Sequence, residues 1–254
     1  MRFTVLGSGT GLPDPTRGPA GFLLQAAGRA FLVDGGSGTL QRCAAAGVDP
    51  RTLDGGIYSH RHPDHCADLV PLLFAMHIPP ERPVDYPIWA GEGFAAYLQG
   101  LRDLYGRWID FAQAGAVVTE LSLAEPDEAD LGGIRLRTRP ANHGAGALHL
   151  RFEADGCAVV FSGDTGPSDA LVELATGADL LVCECALPDD APVQGHLTPS
   201  AVAEIVDAAQ PKAVWLTHFY PSTDPQRATA LVARTGIPTH RPGDLDRWGG
   251  GVRH

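Results

Sequence analysis

A chain of 254 residues, 44% of them hydrophobic, is long enough to bury a full core, and no Ser/Gly/Pro-rich linker divides it, so residues 1–254 are read as one domain. Thirty acidic against nineteen basic residues give a formal charge of −11, and Lys212 is the only lysine; this disfavours extended nucleic-acid binding, which neutralises many phosphates at once. The apolar runs are too short to cross a bilayer, the strand-like start at Arg2 leaves no room for a signal peptide, and five cysteines without a C-x-x-C pair argue against a disulfide framework or a zinc ribbon, so a cytoplasmic protein without a membrane partner is expected.

Short apolar or β-branched runs predict strands at Arg2–Leu6, Gly21–Gln25, Ala30–Val33, Gly55–Tyr58, Tyr86–Ala90, Ala116–Leu121, Ile134–Arg139, Leu148–Glu153, Ala158–Ser162, Leu180–Cys183 and Ala213–Leu216. Helical spacing predicts helices at Thr39–Ala46, Cys66–Met76, Gly93–Leu104, Asp169–Ala175, Pro199–Ala209 and Gln226–Thr235. Thr198 is a good N-cap with Pro199 in the first turn. Hairpin strands dominate early and strand–helix alternation later, which implies an α/β architecture of two packed sheets with helices outside. The stretches around Pro188–Pro192 and Ala141–Ala147 read as exposed loops and as mobile rims of a site.

The segment His60-Arg61-His62-Pro63-Asp64-His65 places three imidazoles and a carboxylate within six positions, directly after the predicted strand Gly55–Tyr58. Imidazole nitrogen and carboxylate oxygen suit zinc, manganese or iron, so a metal site is the first reading. Polar residues end four later strands in the same way: Asn142-His143, Gly163-Asp164-Thr165, Glu184 and Thr217-His218. Ligands carried on separate strand ends converge at one edge of an open α/β sheet. The loop Gly7-x-Gly9-x-Gly11 lacks the helix that a dinucleotide cradle needs, and Pro13 and Pro15 follow it, so it is read as a close-approach turn near the site. Asp34 fits a turn at Asp34-Gly35-Gly36 or a hydrogen bond beneath the site. Cys66 reads as a core-facing helix residue. His77, His149, His240 and His254 have no metal-like company and are left unassigned.

Through His60-x-His62-x-Asp64-His65, His143, Asp164 and His218 in that order, the chain resembles the metallo-β-lactamase fold superfamily. Ser162-Gly163-Asp164-Thr165, Gly195-His196-Leu197-Thr198 and the N-terminal Gly-Ser-Gly-Thr-Gly-Leu-Pro resemble its ribonuclease Z and class II cyclic-nucleotide phosphodiesterase branch. The resemblance implies a four-layer αββα sandwich and a dinuclear centre. One metal would be held by His60, His62 and His143, the other by Asp64, His65 and His218, with Asp164 bridging. Two divalent ions are implied, zinc first, with manganese or iron as alternatives. Asp64, His196 and Glu184 are the catalytic candidates: a metal-bridging hydroxide would attack, His196 would stabilise the phosphoryl group or protonate the leaving oxygen, and Glu184 would orient His196.

Ribonuclease Z proteins grip tRNA with an arm inserted between metal-binding motifs, whereas only twenty positions separate His143 from Asp164 here. The sequence therefore favours a small anionic phosphodiester such as a cyclic nucleotide. The alternatives are a ribonuclease Z-type tRNA 3′-end endonuclease and a thioester, lactone or sulfate-ester hydrolase. A metal-stabilised nucleotide sensor without turnover is the reading from another class. Among assemblies, a homodimer is kept as the commonest closed form.

Overall fold

The computed structural model describes residues 1–80, 82–110, 114–144 and 146–249; His254 and Ala145 of the predicted rim loop lie outside them. Strands β1 (Arg2–Gly7), β2 (Gly21–Ala26) and β3 (Arg29–Gly35) form an antiparallel meander, to which β4 (Gly55–Tyr58), β5 (Tyr86–Gly91) and β6 (Ala116–Leu121) add in parallel. The second sheet repeats the plan. Strands β7 (Asp127–Asp130), β8 (Arg135–Pro140), β9 (Leu148–Ala154) and β10 (Cys157–Phe161) are antiparallel, and β11 (Leu180–Glu184), β12 (Val214–Thr217) and β13 (Thr239–His240) continue in parallel. Strand β14 (Arg247–Gly249) returns to pair with β1, giving each sheet seven strands among the described residues.

Parallel neighbours cannot be joined by a tight turn, and helices make those crossovers. Helix α1 (Thr39–Ala45) joins β3 to β4, α2 (Pro63–Cys66) and α3 (Leu69–His77) join β4 to β5, and α4 (Phe94–Tyr105) joins β5 to β6. In the second sheet α5 (Asp169–Ala175), α6 (Pro199–Ala209) and α7 (Pro225–Val232) play the same part.

Side-chain alternation along each strand divides the apolar residues into three layers. Phe31 and Val33 face the opposite sheet while Leu32 faces the helices, and Val159 and Phe161 face inward while Val160 faces α5 and α6. Phe22 links the sheets, its ring 5.3 Å from Phe3 and 4.9 Å from Phe161. The result is the expected αββα sandwich, with helices covering both outer faces.

Three strands went unpredicted. β7 reads Asp-Glu-Ala-Asp, a charged edge strand without apolar alternation, and β13 and β14 are two and three residues long. The predicted helix Cys66–Met76 is two helices. Pro63 starts α2, and α3 begins after Asp68, whose carboxylate accepts the Leu40 N–H instead of continuing the first helix. All five cysteines are free and buried, Cys66 at the end of α2 in the core under the helices.

Candidate functional site

Proline 63 shapes the first ligand segment. A residue before proline is driven to extended backbone, and His62 has φ −67° and ψ 146°; proline is then well placed in the first turn of α2. In extended backbone alternate side chains share a side, so His60 and His62 point the same way. Arg61 points the other way, donating to the Gly93 carbonyl at 3.0 Å. The single turn of α2 then brings Asp64 and His65 beneath them.

Asp34 anchors this segment. It is fully buried at the end of β3 with φ 54°, a left-handed conformation that aspartate tolerates better than most residues. One oxygen accepts the Ser59 N–H at 2.6 Å; the other accepts the Ser59 hydroxyl and His65 Nδ1–H, both at 2.7 Å. Of the two readings of Asp34, the hydrogen bond beneath the site is realised; the expected turn at Asp34-Gly35-Gly36 is instead the end of strand β3, with Asp34 in left-handed backbone. Because Ser59 gives its only hydroxyl proton to Asp34, its oxygen accepts from His60 Nδ1–H at 3.1 Å.

His143 lies in the loop between β8 and β9, and its Nδ1–H donates to the Gly195 carbonyl at 2.8 Å. Gly195 has φ 86°, and a Cβ there would stand 2.9 Å from His143 Nδ1, so glycine is required by conformation and by space. His218 follows β12 with φ 59°, fixed by its N–H to the Ser8 carbonyl at 3.0 Å. That bond brings the Gly7–Gly11 loop against the site, the close-approach turn expected of it. Left-handed backbone at both Asp34 and His218 is strain concentrated at one place.

With Nδ1 of His60, His65 and His143 each tied to an oxygen, their Nε2 lone pairs are left facing one another. His60 Nε2 and His143 Nε2 both lie 3.1 Å from His62 Nδ1. Asp164, after β10, has one oxygen 3.8 Å from His60 Nε2 and the other 3.3 Å from His65 Nε2 and 3.6 Å from His218 Nε2. Asp64 Oδ2 lies 3.3 Å from His218 Nε2 and 3.9 Å from His65 Nε2. Two donor sets result, His60–His62–His143–Asp164 and Asp64–His65–His218, each with its donor atoms within 4.8 Å of one another.

Burial, then neighbouring imidazoles, holds His60 well below the usual imidazole range, and burial likewise lowers His62 and His143. Burial alone would raise Asp164, but His218, His65 and His60 outweigh it and keep the carboxylate well below its ordinary range. His65 Nε2 is buried without any hydrogen-bond partner. Burial works against the His65 cation, but Asp164 and Asp34 outweigh it and raise His65; three imidazoles held low, carboxylates and an orphaned buried nitrogen aimed at a shared centre are the donor set of a divalent cation, which would take the place of a proton on His65.

Glu184, the last residue of β11, is buried behind this cluster. It accepts from Thr165 N–H at 2.7 Å, Leu197 N–H at 3.1 Å and His196 Nδ1 at 3.1 Å. The Glu184 hydrogen bond raises the His196 pKa. The His196 ring stacks over His218 at 6.0 Å, and a donor atom of His196 falls within 4.8 Å of donors on Asp164 and His218. All eight expected residues around the cluster therefore meet at one end of the sandwich, brought there from the ends of β4 in the first sheet and of β8, β10 and β12 in the second and from the loop before α6, with Glu184 one layer behind. Sequence reasoning missed Ser59, the Gly195 carbonyl and Tyr220, whose ring stands edge-on to His196 and His218 at 6.0 and 5.8 Å. Tyr220 does lie two residues beyond His218, a weak signal.

The floor beneath His65, Asp164, Glu184 and His218 encloses only about 10 Å³, so access is from the outer side, where Asp64 and His196 retain 16% and 15% side-chain exposure. A cavity of about 860 Å³ lined by Arg2, Gln25, Arg29 and Asp155 lies at the opposite strand ends and shares no residue with the cluster. The rim stretch Pro188–Pro192 is exposed but tied, Asp189 accepting the Ser200 N–H at 3.0 Å and its hydroxyl at 2.9 Å. No described helix is long and apolar enough to cross a membrane.

Residues 15–219 match the family model of the β-lactamase superfamily domain. The chain is 31% identical to ribonuclease Z of Mycobacterium bovis (strain BCG / Pasteur 1173P2), over 98% of this chain and 90% of the relative. Among solved structures it superimposes on the metallo-β-lactamase fold protein YhfI of Bacillus subtilis with a TM-score of 0.84 at 23% identity, covering 98% of this chain and 99% of that one. Human tRNase Z, short form, gives a TM-score of 0.78 at 22% identity over the same shares. At these identities the structures speak to the fold, and the ribonuclease Z relative and the family model speak to descent. The chain belongs to the metallo-β-lactamase superfamily, in its ribonuclease Z-like branch, and is a metal-dependent hydrolase.

Proposed function

We propose that the chain is a two-metal phosphodiesterase of the ribonuclease Z type, cutting precursor tRNA at its 3′ end. The observation that carries this reading is 31% identity to a ribonuclease Z across nearly the whole of both chains. It displaces the small phosphodiester favoured by the sequence from first place. The formal charge of −11 keeps that substrate as the second reading, since so acidic a chain gains little from a long phosphate backbone.

His60, His62 and His143 would hold one ion and Asp64, His65 and His218 the other, with Asp164 shared, zinc being the first expectation for this donor set. Bound divalent ions supply Lewis acidity towards phosphoryl oxygens and acidify a water. The protein's own part is positional and protonic. Asp34 fixes His65, Ser59 fixes His60 and the Gly195 carbonyl fixes His143, so that each presents Nε2 inward. Glu184 holds His196 by Nδ1, which leaves Nε2 as the atom that carries a proton to the leaving 3′ oxygen. The Glu184 hydrogen bond, which raises the His196 pKa, favours the protonated ring that this role requires.

The test is cleavage of a precursor tRNA bearing a 3′ trailer, with bis(p-nitrophenyl) phosphate in parallel and Asp164→Ala as control. A single cut at the trailer junction, absent in the variant, is the expected result. Turnover of the small ester without cleavage of the RNA would replace this reading with the second.

A further inference from the structure

Arg241 directly follows β13, which runs parallel to β12 with His240 opposite Trp215, so it emerges at the strand ends that deliver His218. Its guanidinium lies over the ring of Phe219, the residue after His218, at 5.4 Å. Its Nε is buried without a hydrogen-bond partner, and no carboxylate lies within ion-pair distance among the described residues. Arg17 shares the spot: one of its nitrogens donates to the Pro242 carbonyl, the next residue along from Arg241, at 2.7 Å and to Ser8 Oγ at 2.6 Å. Ser8 in turn receives the His218 N–H. The Arg17 guanidinium has no carboxylate within ion-pair distance among the described residues; its own bonds go to neutral oxygens.

The nearby acids are committed elsewhere. Asp244 takes Ser8 N–H and hydroxyl, Gly18 N–H and the Arg42 guanidinium. Asp14 takes the Thr16 and Arg17 N–H groups and the Thr16 hydroxyl, and reaches Arg241 only through space. Acids exceed bases by eleven in this chain, and Arg29, Arg51, Arg102, Arg135 and Arg139 all hold carboxylates. Two guanidiniums side by side without one, one of them with a buried unpaired donor, form an arrangement that an anion would complete. Burial and the charge of Arg17 both disfavour the Arg241 cation as it stands.

We propose that Arg241, with Arg17 beside it, forms an anion subsite flanking the Asp64–His65–His218 side of the centre, which receives a second phosphate group of the substrate. The planar guanidinium suits bidentate contact with phosphate oxygens, and the Phe219 ring holds it in plane. This inference rests on the phosphodiesterase reading above and adds a requirement to it: substrates with a phosphate beside the scissile one are preferred.

The experiment compares wild type with Arg241→Gln and Arg241→Lys on two substrates. Precursor tRNA carries phosphates on both sides of the cut, and bis(p-nitrophenyl) phosphate carries only the one attacked. In Arg241→Gln, kcat/KM on the RNA is expected to fall about 10- to 100-fold, well beyond any loss on the small ester, with partial recovery in Arg241→Lys. The slope of log kcat/KM against log salt should also become shallower by about 0.7 to 0.9, one phosphate contact. Equal losses on both substrates, or no loss with an unchanged salt slope, would overturn the subsite. If wild type cuts the ester but not the RNA, the tRNA reading fails by itself, and sulfate decides the subsite: it survives if sulfate raises the melting temperature of wild type more than that of Arg241→Gln, and falls if the two respond alike.

Discussion

His196 and Glu184 illustrate how a single pair divides structural from chemical work. Glu184 accepts from three N–H donors on two segments, Thr165 after β10 and His196–Leu197 before α6, so it fixes the loop before α6 as well as the ring of His196. His196→Ala removes only the proton carrier. It should leave metal content unchanged and lower kcat on RNA by about 10²- to 10⁴-fold. Its effect on bis(p-nitrophenyl) phosphate should be far smaller, because p-nitrophenolate leaves without protonation. Equal losses on both substrates, read from kcat and metal content together, would remove the acid role. At this scale the sequence was most informative where ligands crowd. The six positions from His60 to His65 cannot be satisfied by ordinary burial, and His143, Asp164 and His218 each end a strand. What stayed hidden is the support. The carbonyl of Gly195 and the hydroxyl of Ser59 act through backbone geometry and through partners 25 to 52 positions away, and no local pattern reports that.

The elements carry the ligands through close approaches that a side chain would block. Gly36 follows β3, and a Cβ there would stand 2.2 Å from the Asp64 carbonyl oxygen and 2.6 Å from Pro19 Cβ. Gly36→Ala must therefore displace α2 or the Pro19 turn. It should cost roughly 1–3 kcal/mol in denaturant unfolding and lower metal content as Asp64 and His65 shift. Gly100, exposed in α4 with open space around it, is the opposite case: Gly100→Ala should add about 0.5–1 kcal/mol without affecting metal. Wild-type stability and metal content in Gly36→Ala would show that the α2 contact does not position the ligands. The same contrast explains what was legible among the elements. Buried strands such as Val159–Phe161 and Leu180–Val182 are continuous apolar runs, easily read. The split between α2 and α3 depends on Asp68 reaching across to α1, a tertiary contact. Helix α7 starts at Pro225 after an Asp224 cap that accepts from Gln226 and Arg227, a local signal that periodicity alone passed over.

For the whole molecule, net charge says little about where an anionic substrate would be steered. A total of −11 averages over a surface on which Arg135, Arg137, Arg139 and Arg151 pair with glutamates of the second sheet and α5, while the guanidiniums of Arg17 and Arg241 have no ion-paired carboxylate among the described residues. Steering depends on where charge lies relative to the cleft, not on its sum. The fold was legible because two sheets and six crossovers leave a strong mixture of hairpin and strand–helix patterns. The substrate class was less legible, because the residues at the outer side of the site, Asp64, His196 and Tyr220 among them, come from segments far apart in sequence. On the reading proposed above, one chain binds two divalent ions through seven residues and hydrolyses phosphodiesters with them. The most direct test is metal stoichiometry by mass spectrometry on active protein purified without chelator, alongside Asp164→Ala. Two ions per chain in wild type, with ions and bis(p-nitrophenyl) phosphate turnover falling together in the variant, is the predicted result; full turnover by protein holding fewer than one ion per chain would contradict it.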